Sequence, residues 1–247
     1  GEILGIVGES GCGKSTLIKA ILGVLPPRSR IERGEIVFEG RDLARLDPTM
    51  LAHEVRGSAI GFIPQDPFLA LNPVFRIGAQ MLETMRWHAP PQWKGQHRQR
   101  LVKLLGAVQV PDPEGALERY PHEFSGGQRQ RLLIAAALSC QPRLLIADEP
   151  TTALDVSVQA QVIELLRHLR DTIGASFLFI THDLGVAAQI ADRICVLYGG
   201  RLAELGTAHD VLERPSHPYT IGLLRSRLTM TSDRVRPLRT LPGEPPD

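Results

Sequence analysis

Cysteine is scarce in this chain of 247 residues. Cys12, Cys140 and Cys195 lie far apart with no CxxC spacing, which argues against a disulfide framework or a cysteine zinc site and fits a reducing compartment. Long hydrophobic runs are also missing. No stretch approaches the roughly 18 apolar residues that a membrane-spanning helix needs, and the most apolar region, 132–147, is broken by Ser139, Gln141, Pro142 and Arg143. No segment has the pattern of a secretory leader, so any association with a membrane is expected to come through a partner. Charge of one sign is lacking too. Lys and Arg number 28 against 27 Asp and Glu, a net charge of +1, and this balance speaks against an electrostatic nucleic-acid binder. Arg225, Arg227, Arg234, Arg236 and Arg239 are partly offset by Asp233, Glu244 and Asp247 and read as a solvated tail. There is no internal repeat and no low-complexity segment.

What remains is an ordinary globular composition, 43% hydrophobic and 22% charged. The length suits one large α/β domain, or one domain with an inserted lobe. Strands are predicted at residues 3–7, 35–39, 59–63, 143–147, 176–180 and 194–198, with a short pairing strand over 201–205. Helical patterning covers about 14–22, most of 74–140 and the apolar stripe Val158, Val162, Leu165, Leu166, Leu169. Strands separated by helices imply a mainly parallel sheet. The long helical block between two strands exceeds a single crossover and reads as an inserted α-helical lobe.

Three motifs carry chemistry. Gly8-Glu9-Ser10-Gly11-Cys12-Gly13-Lys14-Ser15, followed by Thr16, matches GxxxxGK[ST] after a strand and at the start of a helix. Its glycines let backbone N–H groups turn inward around phosphate oxygens, and the helix N-terminus adds partial positive charge. Lys14 is expected on the β and γ phosphates and Ser15 on Mg²⁺. At this point kinases and GTPases remain open. Leu144–Asp148 is an apolar strand that ends in Asp148-Glu149. Asp148 is placed to hold Mg²⁺, and Glu149 to polarise an attacking water as general base. Asp148 lies 134 residues after Lys14, a long gap for a small-molecule kinase. Ser125-Gly126-Gly127-Gln128 then opens a helical run. Alone it would be a helix cap; beside the first motif it is a second anion-grade site, which a two-fold head-to-tail dimer reconciles with one nucleotide.

Ser125–Gln128 after a phosphate loop, and upstream of Leu144–Pro150, resembles the signature of the ABC transporter ATPases. Gln65 resembles the loop glutamine that contacts Mg²⁺ and water. Ala153-Leu154-Asp155 resembles the loop that crosses the dimer interface, and His182 resembles the switch histidine at the γ-phosphate. The resemblance covers residues 1–212. It implies a P-loop NTPase fold with a RecA-like core (1–65 and 142–212), a helical subdomain (66–141) and a C-terminal extension (213–247). It further implies ATP and Mg²⁺, a second ATPase subunit, identical or paralogous, and membrane permease subunits. An extracytoplasmic solute-binding protein would act indirectly, and the chain would lie peripherally on the cytoplasmic face of the membrane, with no nucleic acid involved.

Gln65-Asp66-Pro67, Leu71-Asn72-Pro73, His217-Pro218-Tyr219-Thr220 with Leu223-Leu224, and the ending from Leu241 to Asp247 look like the dipeptide/oligopeptide importer ATPases. These strings are expected on surface loops, marking subfamily and not chemistry. Nickel and glutathione importers use relatives of this subunit, and a soluble ABC ATPase acting on DNA or ribosomes is the reading from another class. In the family, strands preceding the phosphate loop carry an adenine-stacking aromatic residue and a cysteine-containing tail often follows the last prolines. Neither is expected among these residues.

Overall fold

The computed structural model describes residues 1–226, so the Leu241–Asp247 string and most of the basic tail lie outside the described residues. β1 (Ile3–Val7) buries Ile3, Ile6 and Val7 and leads through the phosphate loop into α1 (Lys14–Ile21). β2 (Val37–Phe38) and β3 (Arg41–Asp42) form an antiparallel hairpin. The strand expected over 35–39 is this short because the chain reverses at once through Glu39 (φ 50°) and Gly40 (φ 76°). Positive φ at both central residues is what a tight two-residue hairpin turn requires. Asp47 then caps α2 (Pro48–Met50), which continues into a wide π turn at Leu51–Val55.

β4 (Ile60–Ile63) follows, and between it and β5 (Leu144–Asp148) lie α3 (Ile77–His88), α4 (His97–Ala107), α5 (Pro113–Ala116) and α6 (Gly126–Leu138). Pro91 and Pro113 sit in first turns of helical segments, where their missing N–H leaves no bond unmade. The chain continues as α7 (Val156–Ile173), β6 (Ser176–Thr181), α8 (Leu184–Ile190), β7 (Arg193–Tyr198), β8 (Arg201–Thr207), α9 (Ala208–Glu213) and α10 (Pro218–Arg225).

Two compact units divide these elements. Of the described residues, one holds 1–2 and 15–178, the other 3–14 and 179–226. In the first unit the strand order is β4-β5-β6, with β4 and β5 parallel and Ile63 opposite Ala147. Because the two strands run the same way in register, Gln65, just past β4, and Asp148-Glu149, at the end of β5, emerge side by side. α6 packs on β4 and touches α4 and α7. Its residues Leu132 and Ile134 are fully buried, as are Leu101, Leu105, Val162 and Leu166. The predicted α7 stripe is therefore real, with Val158 half-buried at its outer end.

In the second unit the order is β6-β1-β7-β8. β1 and β7 are parallel, Val7 opposite Val196, and β7 and β8 are antiparallel. The pairing strand expected at 201–205 extends to Thr207. Val7, Leu184, Ala187, Ile194, Val196, Val211 and Tyr219 form the core of this unit, and each large apolar side chain among them contributes about 1.5–3 kcal/mol on burial. The parallel register again matters. The phosphate loop leaves the end of β1 alongside the end of β7, where Tyr198 stands.

Candidate functional site

In the first unit, parallel pairing of β4 and β5 delivers two of the predicted residues to one place. The Gln65 side-chain amide donates to Glu149 Oε2 at 3.1 Å, and the Thr152 hydroxyl donates to the same oxygen at 3.1 Å. Thr152 is a residue that sequence reasoning missed. Its position three residues after Glu149, across Pro150, was the available signal. Glu149 has φ 45°, a left-handed backbone that costs a non-glycine residue on the order of 1 kcal/mol. The two side-chain bonds help hold that turn. Next to it, Ser15 Oγ donates to Asp148 Oδ2 at 3.4 Å. A hydroxyl from the start of α1 and a carboxylate from the end of β5 thus lie beside each other.

In the second unit the loop from Gly8 wraps its own lysine. Lys14 is buried, and its ammonium donates to the carbonyls of Gly8 at 2.6 Å and Glu9 at 2.9 Å. Gly8 is required by close approach. A Cβ there would collide with the Leu197 carbonyl and lie 2.6 Å from Cys12 Sγ. The loop closes further through Cys12 N–H to the Glu9 carbonyl at 3.3 Å and Gly200 N–H to the Cys12 carbonyl at 3.1 Å. Ser10 and Gly11 are exposed, as is Thr16 in the first turn of α1.

The second anion-grade motif lies in the first unit and begins α6. Ser125 is the cap: its hydroxyl accepts from Gln128 N–H at 3.3 Å, while Gln128 Oε1 accepts from Ser125 N–H at 3.0 Å. Ser125 is exposed and Gly126, Gly127 and Gln128 are half-buried. Gly127 is where α6 meets α7, since a Cβ there would come within 2.6 Å of Val158 Cγ1. Arg129 stacks over the Phe68 ring at 4.6 Å, tying the motif to the loop after Gln65. Arg131 donates to the Val108 carbonyl at 3.0 Å and to the side-chain carbonyls of Gln109 at 2.9 Å and Gln161 at 3.2 Å. Asp155 caps α7, accepting from Ser157 N–H at 3.1 Å, the Ser157 hydroxyl at 2.6 Å and Val158 N–H at 3.0 Å. The Ser157 hydroxyl first, then the Val158 N–H, holds the Asp155 carboxyl below its ordinary range.

In the second unit His182 is exposed one residue past β6. The turn that carries it is fixed on both sides. Asp183 N–H donates to Thr181 Oγ1 at 3.0 Å, and Asp183 Oδ1 accepts from Gly185 N–H at 2.6 Å to cap α8. The His217–Thr220 string corrects an expectation. It is not a surface loop: Tyr219 and Thr220 are buried, and Glu9 N–H donates to the Tyr219 hydroxyl at 3.2 Å. Among the described residues no helix is long and apolar enough to cross a membrane. Nor is there a cluster of three or more His, Cys, Asp or Glu that could form a metal cage.

Residues 1–152 match the family described as ABC transporter, and residues 203–247 match the C-terminal region of oligopeptide/dipeptide transporters. Over its whole length the chain is 49% identical to the oligopeptide transport ATP-binding protein OppD of Bacillus subtilis, covering 69% of that protein. It is 47% identical to the dipeptide transport ATP-binding protein DppD of the same organism, covering 73%, and 47% identical to OppD of Salmonella typhimurium, covering 72%. Among solved structures it resembles the dimeric ATP-binding cassette MJ0796 in a post-hydrolysis state bound to ADP and Pi. There the TM-score is 0.68 at 27% identity, over 84% of this chain and 85% of that one.

Proposed function

The chain belongs to the ABC transporter family, and we propose that it is the ATP-hydrolysing subunit that powers import of dipeptides or oligopeptides. One observation carries the catalytic part. Asp148 lies 3.4 Å from the phosphate-loop hydroxyl of Ser15, and the adjacent Glu149 is held by Gln65. These neighbouring carboxylates at a strand end support Asp148 as the metal ligand and Glu149 as the general base. ATP phosphates would lie on the N–H groups of Gly8–Thr16, with Lys14 moving its ammonium from its own loop carbonyls toward the β and γ oxygens. Glu149 would orient and deprotonate the attacking water, and His182 would contact the γ-phosphate.

Magnesium fits the donors present. Ser15 Oγ and Asp148 are hard oxygen donors, Gln65 carries a side-chain carbonyl and is bonded to the adjacent Glu149, and Mg²⁺ favours a few protein oxygens plus water and phosphate. When bound, it would neutralise phosphate charge. Ser125, Gly126, Gly127, Gln128 and Asp155 are assigned to the nucleotide held by a second ATPase subunit, as the dimeric relatives support. The helical subdomain is taken as 66–141, inserted between core segments 1–65 and 142–212, with 213–247 as an extension.

Coupling to membrane subunits is assigned to the loop after Gln65. Phe68, Leu69, Val74 and Phe75 are exposed, Leu69 at 84%. Gln80 fastens this loop by accepting from Asn72 N–H at 2.9 Å and donating to the carbonyls of Asn72 and Phe75 at 3.0 and 2.9 Å. A rigid apolar loop of this kind suits a short helix from a permease, which would hold the chain at the cytoplasmic face of the membrane. The deciding experiment is co-purification with integral membrane subunits, followed by ATPase assay in vesicles with a peptide-loaded solute-binding protein. Peptide-stimulated hydrolysis is expected. Absence of any membrane partner, or hydrolysis indifferent to every peptide tested, would overturn the reading.

A further inference from the structure

The His217–Thr220 string has no task in the reaction just proposed, yet it is built into the second unit by a continuous set of bonds. Glu204, on β8, accepts from Ser216 N–H at 2.7 Å and His217 N–H at 3.2 Å. Burial works to raise its carboxyl pKa, but the polar groups around it, the nearby Thr220 hydroxyl and the Ser216 and His217 amides, outweigh it and hold the group below its ordinary range. His217 Nδ1 accepts from Tyr219 N–H at 3.1 Å and so caps α10, whose first residue is Pro218. The Tyr219 ring lies against Tyr198, centroids 4.3 Å apart, within the apolar core of the unit. Its hydroxyl ends on Glu9 N–H. The carbonyl of the same residue accepts from Lys14. Glu9 is therefore gripped at its N–H by a residue 210 positions away and at its carbonyl by the lysine of the phosphate loop.

We propose that Tyr219 is a positioning residue for the nucleotide: through Glu9 N–H it holds the mouth of the phosphate loop in its binding shape, with the segment from Glu204 to Thr220 as the strut. The proposal rests on the reading that this loop binds ATP. A loop that cradles phosphate with main-chain N–H groups binds well only if those groups already point inward, because ordering it on binding subtracts from affinity. Gly8 leaves β1 pressed against Leu197, so the loop is fixed at its first residue by β7, and Tyr219 fixes the next. Burial pushes the Tyr219 phenol above its ordinary range. It therefore stays a neutral hydroxyl, able to accept from Glu9 at any physiological pH. The aromatic packing gives it that place, and the hydroxyl gives it the task.

The experiment separates those two roles. Tyr219→Phe keeps the ring and deletes the oxygen. MgATP affinity, read by titration of the purified chain, is expected to fall about three- to tenfold, the worth of one ordinary hydrogen bond. Hydrogen exchange at Glu9 N–H should accelerate while amides within α10 keep their protection, and the melting temperature without nucleotide should stay within about 4 °C. A purely structural tyrosine would lower stability and leave affinity per folded molecule untouched, and that result would overturn the proposal. Unchanged affinity together with unchanged Glu9 exchange would also overturn it. Should the variant fold poorly, exchange in the unaltered chain decides, since a Glu9 amide exchanging as fast as the exposed Ser10 amide leaves Tyr219 nothing to hold. If the unaltered chain binds no ATP, the parent reading falls and takes this one with it. If it binds ATP and Tyr219→Phe binds equally, only this one falls.

Discussion

Gln65 and Glu149 are 84 positions apart in the chain, yet the Gln65 amide donates directly to Glu149 Oε2 at 3.1 Å. The bond joins the loop that carries the exposed apolar residues to the candidate general base. Any displacement of that loop by a membrane partner would thus be felt first at the carboxylate that must face water.

Replacing that carboxylate is the first test. Glu149→Gln keeps an oxygen that can accept from Gln65 and Thr152 but removes the base. We expect ATP affinity to be retained and hydrolysis to fall about 10²–10⁴-fold, with the ATP-bound dimer accumulating. Steady-state ATPase rates and size-exclusion chromatography with ATP are the measurements. Near-normal turnover would remove Glu149 from the role.

At the signature motif, Ser125→Arg should abolish hydrolysis by the dimer while the monomer still binds ATP. Because Ser125 also caps α6, a stability loss of about 1 kcal/mol should accompany it. Ser125→Asp restores the cap without restoring a hydroxyl, so it should recover the melting temperature and not the activity. Isolated monomers hydrolysing at the wild-type rate would refute the shared site.

Packing between α6 and α7 gives a prediction independent of function. Gly127→Ala forces a methyl to within 2.6 Å of Val158 Cγ1, and overpacking of this kind costs about 1–3 kcal/mol. Val158→Ala in the same chain should return much of that loss, because it removes the atom in the way. Urea midpoints of the two single variants and the double variant test the coupling; simple additivity would contradict the contact.

The cap of α7 supplies a pH test. The Asp155 carboxyl sits below its ordinary 3.8 because the Ser157 hydroxyl and the Val158 and Ser157 N–H groups stabilise its charged form. A depressed folded-state value means that its contribution is complete above pH 3.8 and is lost as the pH falls from there through the folded value. Asp155→Asn keeps a capping oxygen but does not titrate. The stability gap between the two proteins should be constant near neutrality and close below pH 3.8. A gap unchanged through the acid range would show that the charge contributes nothing.

The exposed loop after Gln65 is tested by Leu69→Glu. Leu69 touches little within the chain, so folding and ATP binding should be unaffected. Affinity for membrane subunits should drop at least about tenfold, as expected when a charge enters the apolar centre of an interface. Pull-down with the membrane subunits reads the result.

Much of this was legible in the sequence because it is local. The phosphate loop, the Leu144–Asp148 strand and the α7 stripe each announce themselves within a dozen residues, through spacing that one element imposes. The hairpin at Val37–Phe38 was overextended because the apolar run said nothing of where Glu39 would reverse the chain. Tyr219 was misjudged for a different reason. Its partner is a main-chain N–H 210 positions away, and a backbone group has no identity in a sequence. The closeness of Gly127 to Val158 was hidden in the same way. Glycine at a helix start has several uses, and only the neighbouring helix reveals which one applies.

The capping hydroxyl of Ser125 has one more implication. An alcohol oxygen has two lone pairs and one proton; receiving the Gln128 N–H occupies a lone pair and leaves the proton unspent. The atom that terminates α6 can therefore greet an incoming anion without surrendering the helix end, so subunit closure need not unravel anything. Were Ser125 to face the nucleotide of a second subunit as proposed, a clamp made this way would open and shut at little internal expense.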